Sequence, residues 1–344
     1  MDSLIKIQKK LLPDMLSVMQ RRYQVLRSIK LSEPVGRRTL AQMLGWTERV
    51  LRSEAEFLQG QNLIHIKSSG MTVTEEGKDT LMQLEGMMKE ISGITTMEEQ
   101  LKKQLHAAGV VIVPGNSDES PWVKEELGRA CTEQIGRNLR DRNIIAVTGG
   151  TTMAAAASLM DSVDAKGKEL LFVPARGGIG EDVQNQANTI CSTMAYRTSS
   201  RHRVLYVPDQ VGQEMRESLM REPAIKEVLQ LIKSANIVLH GIGEAMKMAE
   251  RRNTSEEDMR KIAEGHAVGE AFGYYFDVQG NIVHKVPTVG LQLSDLPNAE
   301  HVLAAAGGKS KANAIRAYMN SAPPSTILIT DEGAAEELLK GETF

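Results

Sequence analysis

Apolar positions recur along this chain in two rhythms. Over roughly the first hundred residues they follow the three- and four-residue spacing of amphipathic helices, and from residue 109 they gather into short, nearly continuous apolar runs. The first rhythm predicts a helix over residues 13–29 that buries Leu16, Met19, Tyr23 and Leu26 or Val25. It opens at Pro13, whose missing amide is harmless in a first turn. A short amphipathic segment over 39–44 then meets a turn at Gly45, and a second helix opens on the N-cap residue Thr47 and runs to about Gln59. Its apolar face is expected to be Val50, Leu51, Ala55 and Leu58, leaving Arg49, Arg52, Ser53 and Glu56 outward. Residues 63–67 and 71–74 are β-prone, and Ser68-Ser69-Gly70 between them predicts a three-residue hairpin with glycine at the positive φ. Tyr23, Trp46 and Phe57 are assigned to the core of this small domain. Helix, turn, helix and hairpin make a winged helix-turn-helix, an arrangement whose second helix enters a DNA major groove.

Residues 75–106 are methionine-rich and helical in pattern, with an interruption near Ser92-Gly93. Leu81, Leu84, Met88 and Ile91 keep the spacing for less than two heptads, which predicts a connecting helix that can self-associate but is too short for a coiled coil. The second rhythm follows, as VVIVP (110–114), NIIAVT (143–148), ELLFVP (169–174), RVLYVP (203–208), NIVLHGIG (236–243), VLAAAGG (302–308) and TILITD (326–331). Strands apolar almost throughout are covered by helices on both faces, so the fold class is α/β, a doubly wound and mainly parallel sheet. FGYYFDVQGNIVH (272–284) reads as a hairpin-like insertion turning at Gln279-Gly280. The expected organisation is a DNA-binding domain over 1–74, a helical linker over 75–108 and an α/β domain over 109–344.

Charge sharpens this division. Residues 1–67 hold twelve Lys/Arg against six Asp/Glu, while the rest hold 29 against 38, an asymmetry hidden in the net charge of −3. A basic module on an acidic body is the footprint of a phosphate-backbone binder. Arg49, Arg52, Ser53 and the cap Thr47 are placed toward DNA, with Arg37 and Arg38 ahead of the supporting helix, where backbone phosphates lie. No run reaches the roughly 18 apolar residues of a membrane helix, and the N-terminus lacks a leader's apolar core. Cys131 and Cys191 have no CxxC or Cys/His spacing, so they are expected as buried apolar residues in a reducing, cytoplasmic compartment.

Three strand ends are rich in donors. TGGTT (148–152) offers two glycines, whose amides can close on an anion, and two hydroxyls at a positive helix end. PARGG (174–178) presents Arg176, a fork suited to phosphate, and AGGKSK (306–311) adds two lysines. In open α/β sheets ligands lie beyond the carboxyl ends of strands, so the three together favour a small anionic ligand. Nucleotide motifs fail: the first glycine of a phosphate loop ending at Gly308-Lys309-Ser310 would fall on Leu303, and Met246 takes the third glycine position after Gly241 and Gly243. His240 ends a buried strand, and no metal spacing occurs, so neither cofactor nor metal is expected.

With these motifs, GEAFGYYFD (269–277), ERRNT (250–254), the opening KKLLPDMLSVMQRR (9–22) and the ending AAAGGKSKANAIRAYM…ILITDEGAAEELL (304–339), nearly the whole chain resembles the SorC class of sugar-responsive bacterial regulators. The resemblance implies a homo-oligomeric repressor of a glycolytic operon, released from operator DNA by fructose-1,6-bisphosphate, with an effector domain similar in fold to sugar-phosphate isomerases and deaminases. It places Gly149, Gly150, Thr151, Thr152 and Lys311 on one phosphate, and Arg176, Gly177 and Gly178 on the sugar or second phosphate. Gln186, Arg251 and Glu270 would add polar contacts; Glu270, which repels phosphate, would accept from sugar hydroxyls or orient an arginine, and its bland reading is a surface acid. The expected mechanism is linkage, the effector changing how paired subunits present their winged helices. Two alternatives stay open: a sugar-phosphate isomerase or deaminase with a fused N-terminal module, and a regulator of another phosphosugar.

Overall fold

The computed structural model describes residues 10–178, 182–208 and 212–340. The leader reading rests on residues 1–9 and lies outside them. Two compact units divide the chain, Met1–Thr96 and Met97–Phe344.

In the first unit, the helix Pro13–Ser32 packs against the helices Arg37–Leu44 and Glu48–Gly60 and the hairpin β1 (Ile64–Lys67) and β2 (Gly70–Val73). Gly45, at φ 67°, ends the second helix and donates its amide to Gln42 while Trp46 returns to Ala41, so the turn is closed by backbone alone. Thr47 Oγ1 then accepts from the Val50 amide, satisfying one donor of the third helix. That helix buries Leu51, Ala55 and Leu58 as expected, but Val50 is exposed and Glu54 is buried in its stead. The residues 51, 54, 55 and 58 share one stripe at 3.6 residues per turn, and position 50 lies about 100° off it. The Glu54 carboxylate is tolerated there because Arg22 Nε stands at 3.1 Å and Arg21 Nη1 at 3.5 Å. Phe57, expected in the core, is instead 39 % exposed, with the Arg22 guanidinium 3.4 Å over its ring.

The hairpin also differs from expectation. Lys67 pairs with Gly70, so the loop is the two residues Ser68 and Ser69. Glycine is required at 70 for a tertiary reason: Val35 bridges Met71, and a Cβ on Gly70, at φ 128°, would stand 2.9 Å from the Val35 nitrogen. The methionine-rich segment breaks at Gly93, at φ 79°. Its first helix, Glu75–Ser92, is capped by Thr74 and packs Met88 and Ile91 on Leu16 inside the first unit; Ile94–Gln104 follows as a separate helix.

The second unit is built on a seven-strand sheet of β3 (Gly109–Val113), β4 (Arg142–Val147), β5 (Glu169–Pro174), β6 (Arg201–His202), β7 (Ile237–Gly241), β12 (His301–Ala305) and β13 (Thr326–Asp331). Their order is β3-β13-β12-β7-β4-β5-β6, and every pairing is parallel. Connections run outward in opposite directions from the central pair β4 and β7, which makes their carboxyl ends the switch point where ligands bind. The alanine-rich helix Thr151–Ser158 can lie close on the helix Trp122–Arg137 because Gly128 has no side chain; a Cβ there would meet the Ala155–Ala156 backbone at 2.8 Å. The expected strand over 203–208 does not form. After Arg201–His202 the chain leaves the sheet, and the Asn188 side-chain amide takes over the ladder's role by bonding both Leu205 N and Leu205 O.

The anticipated insertion is larger than a hairpin. β8 (Gly243–Glu244), β9 (Gly269–Ala271), β10 (Tyr274–Phe276) and β11 (Ile282–Lys285) form an antiparallel sheet in the order β11-β10-β9-β8. Cys131 and Cys191 are free thiols buried in helices, and burial pushes the Cys131 thiol up to about 12. Among the described residues no helix is long and apolar enough to cross a membrane.

Candidate functional site

Two sites emerge, one in each unit. In the first, Arg37, Arg38, Thr47, Arg49, Arg52 and Ser53 are all exposed. Arg49, Arg52 and Ser53 lie off the buried stripe of Leu51, Glu54, Ala55 and Leu58 on the helix Glu48–Gly60, exposed to solvent. Arg38 Nε lies 3.7 Å from Glu48 Oε1 in a solvent-exposed pair that joins the supporting helix to the start of the recognition helix.

In the second, a cleft of about 440 Å³ opens at the carboxyl ends of β4, β5, β7 and β12. That is within the roughly 300–1,000 Å³ of small-molecule sites. Gly149, Gly150, Thr151 and Thr152 line it where β4 passes into the helix Thr151–Ser158. Gly150 turns the chain at φ 124° and its amide donates to the Asn185 carbonyl at 2.9 Å, while a Cβ on Gly149 would lie 2.6 Å from that carbonyl, so the loop is held close against residue 185 where the helix begins. Arg176, Gly177, Gln186, Arg251, Glu270 and Lys311 line the same cleft. Gly178 does not line it; its amide donates to the Val207 carbonyl.

Glu270 is no surface acid. It is 4 % exposed on β9 and holds two arginines: Arg252 Nη2 at 2.8 Å and Arg176 Nη1 at 3.5 Å. Burial by itself would raise its pKa, but the charges of Arg252 and then Arg176, with hydrogen bonds from Arg252 and the Gly273 amide, outweigh it and hold the carboxyl below its ordinary value. Lys311 is shifted the other way, its pKa lowered chiefly by burial, with Lys124 adding repulsion. His240 does not line the cleft. It is buried behind it, with Nδ1 3.0 Å from the Gly241 carbonyl and Nε2 2.9 Å from Tyr318 Oη, and desolvation lowers its pKa to about 4.

Sequence reasoning chose Arg251 and missed its neighbour Arg252, which the fold buries against Glu270. It also missed Asp118. Amides of the AGGKSK junction, from which the sequence drew only two lysines, are taken by carboxylates: Ser310 N donates to Asp118 Oδ2 at 2.9 Å and Gly308 N to Asp331 Oδ2 at 2.7 Å. Lys311 alone of that motif's side chains was placed on a phosphate, and it is in the cleft. Among the cleft's lining residues six are Lys or Arg and three are Asp or Glu, so a cationic cleft sits in an acidic unit. No group of three His, Cys, Asp or Glu among the described residues could hold a metal ion.

A cationic cleft at the switch point of an α/β sheet, carried with a helix-turn-helix, defines the class of ligand-binding transcriptional regulators. Comparison with known proteins gives the particular family. Residues 18–88 match the family "CggR N-terminal DNA binding domain" and residues 89–340 the family "Putative sugar-binding domain". The chain is 58 % identical over 341 residues to the central glycolytic genes regulator of Priestia megaterium, covering 99 % of each chain. It is 54 % identical over 342 residues to the protein of the same name in Bacillus subtilis, covering 99 % of this chain and all of that one. A crystal structure of a SorC family regulator from Enterococcus faecalis, itself described as putative, is 46 % identical with a TM-score of 0.67, covering 71 % of this chain and 99 % of its own. The chain belongs to the family of central glycolytic genes regulators, DNA-binding transcriptional regulators with a sugar-binding domain.

Proposed function

We propose that this protein is a homo-oligomeric repressor of a glycolytic operon that leaves its operator when a phosphorylated sugar, fructose-1,6-bisphosphate first among the candidates, occupies the cleft. The observation that carries the ligand class is the cleft itself. It combines the Thr151–Thr152 helix start, Lys311 and the arginine-flanked Glu270 in one cationic pocket of an otherwise acidic unit. A phosphate needs several N–H or O–H donors, and a sugar needs acceptors as well as donors; the pocket supplies both kinds. Gly149, Gly150, Thr151, Thr152 and Lys311 would hold one phosphate, with Arg176, Gly177, Gln186 and Arg251 toward the rest of the ligand.

The enzyme alternative is less well supported. Glu270 is held ionised by two arginines, which removes the proton affinity a general base needs, and the buried His240 is engaged at both ring nitrogens. The reading needs neither metal nor cofactor. Release is a coupling free energy: whatever factor the effector takes from DNA affinity, DNA takes from effector affinity. The test is a labelled operator fragment shifted by the pure protein and challenged with a panel of phosphosugars. Loss of the shift with fructose-1,6-bisphosphate is expected. Loss only with another phosphosugar would correct the effector, and turnover of any of them without release would sink the regulator reading.

A further inference from the structure

The helix Glu48–Gly60 has little apolar surface with which to fix its own roll. Over its 13 residues the buried apolar side chains are Leu51, Ala55 and Leu58, and Ala55 offers a single methyl. Apolar burial is non-directional, so a stripe this narrow tolerates rotation about the helix axis. A roll of about 20° moves a side-chain tip on the helix's ~5–6 Å radius by about 2 Å. A hydrogen bond to a base edge does not survive that displacement.

One flank of the stripe is held by polar contacts instead. Glu54 is 8 % exposed, and each of its oxygens meets a different arginine of the helix Pro13–Ser32. Oε2 accepts from Arg22 Nε at 3.1 Å, and Oε1 lies 3.5 Å from Arg21 Nη1. The same Arg22 guanidinium lies 3.4 Å over the Phe57 ring, about one turn further along. At about 100° per residue Glu54 and Phe57 share one flank and Arg52 lies on the other, with Arg49 and Ser53 on the outer side between them. A planar guanidinium that meets a carboxylate and an aromatic face together is directional where apolar packing is not. Glu54 also subtracts from the positive charge that draws this unit to DNA, so attraction gives no reason for a carboxylate there.

We propose that Glu54, clamped by Arg21 and Arg22, is a positioning residue for base reading. It fixes the roll of the helix Glu48–Gly60, and with it the aim of Arg49, Arg52 and Ser53, while touching no base itself. This rests on that helix being the one that reads DNA. The clamp serves specificity and not attraction, so two accounts of Glu54 predict opposite signs. Charge counting alone has its removal tighten every DNA. The clamp has its removal weaken operator binding and spare random DNA.

The experiment titrates the full chain against a labelled operator fragment and against random-sequence DNA of the same length, at several salt concentrations. It reads the ratio of the two affinities. Circular dichroism and thermal melts establish that each variant is folded. Glu54→Gln is expected to lower the ratio about tenfold, the worth of one well-aligned base contact, with random DNA bound within about twofold of the parent or more tightly. Arg22→Lys keeps every charge but loses the planar fork. It should lower the ratio by a similar factor with the salt slope unchanged, and it decides alone if Glu54→Gln does not fold. An unchanged ratio in the folded variants, or tightening of both DNAs alike by Glu54→Gln, overturns the clamp. So does equal weakening of both DNAs by Arg22→Lys, which would make Arg22 a backbone contact. Arg52→Ala, run beside them, tests the reading underneath. If it lowers the ratio and the clamp variants do not, the clamp alone falls. If it leaves the ratio unchanged, the recognition helix is misassigned and the inference falls with it.

Discussion

Arginine does opposite work in the two units. Arg49 and Arg52 stand exposed on the helix Glu48–Gly60, whereas Arg176 and Arg252 are buried around one carboxylate. An exposed arginine contributes little to folding and is available to a charged partner. A buried one is fixed, and its charge must be matched inside the protein or by a ligand. The first kind serves a large, polyanionic partner whose salt dependence is set by how many charges it meets. The second serves a small ligand, for which donors must be held in place before it arrives. A change at an exposed arginine should therefore be felt in binding alone, and a change at the buried cluster in folding as well.

The largest expected effect tests that contrast directly. Glu270→Leu removes the carboxylate that Arg176 and Arg252 share in a buried wall and should cost about 3–5 kcal/mol in the urea unfolding of the second unit, whereas Arg49→Ala should stay within about 0.5 kcal/mol. Comparable costs for the two would erase the distinction. Next is acid sensitivity. His240 titrates at about 4 when folded and at the ordinary 6.5 when unfolded, so the unfolded chain binds the proton first. Its contribution is complete above pH 6.5 and drains as pH falls toward 4, by on the order of 3 kcal/mol over that window. In His240→Gln the acid limb of a stability-versus-pH curve should be shallower; an unchanged limb would mean that other groups set it.

Smaller again is the phosphate seat. Thr151→Ala/Thr152→Ala should weaken fructose-1,6-bisphosphate roughly tenfold to several-hundredfold, at about 1.5–3 kcal/mol per charged hydrogen bond with allowance for non-additivity. Operator affinity without effector should hold, because both residues belong to the second unit. Titration and operator release on one preparation decide this, and parent-like behaviour in both would remove the seat from the TGGTT loop. On the DNA side, Arg52→Ala should cost ~1–3 kcal/mol on operator and less on random DNA, as loss of a base contact does. Equal losses would reassign Arg52 to the backbone. The smallest change is expected for Arg38→Ala: folding stability should hold, since its exposed pair with Glu48 is worth roughly 0–1 kcal/mol. All DNAs should weaken alike, with the salt slope reduced by about one. A sequence-dependent loss would contradict a phosphate contact.

Much of the fold was legible because it rests on local rules. The cap at Thr47, the breaks at Gly45 and Gly93, and the apolar runs of the parallel strands were all visible in the chain. The misses share one cause. Val50 and Phe57 read as core because they are apolar, yet the neighbouring helix decides which stripe is covered, and it supplies arginines that make Glu54 the better buried residue. The run Val204 to Val207 reads as a strand, but Asn188 offers Leu205 a side-chain amide in place of a strand partner.

By itself the sequence determined what depends on spacing and on summed charge: the two units in outline, the recognition helix and its outward arginines, and the donor-rich ends of β4 and β5. These follow from the 3.6- and 2-residue periods and from composition, which need no knowledge of neighbours. Only the tertiary structure decided that Arg252 rather than Arg251 stands against Glu270, that Glu270 is a buried anchor, and that Asp118 and Asp331 close the Gly308–Ser310 amides. Those facts join residues up to about two hundred positions apart. The reason is that desolvation makes an unpaired buried charge costly, so burial and partner are chosen together, and neither is written at any one position in the chain.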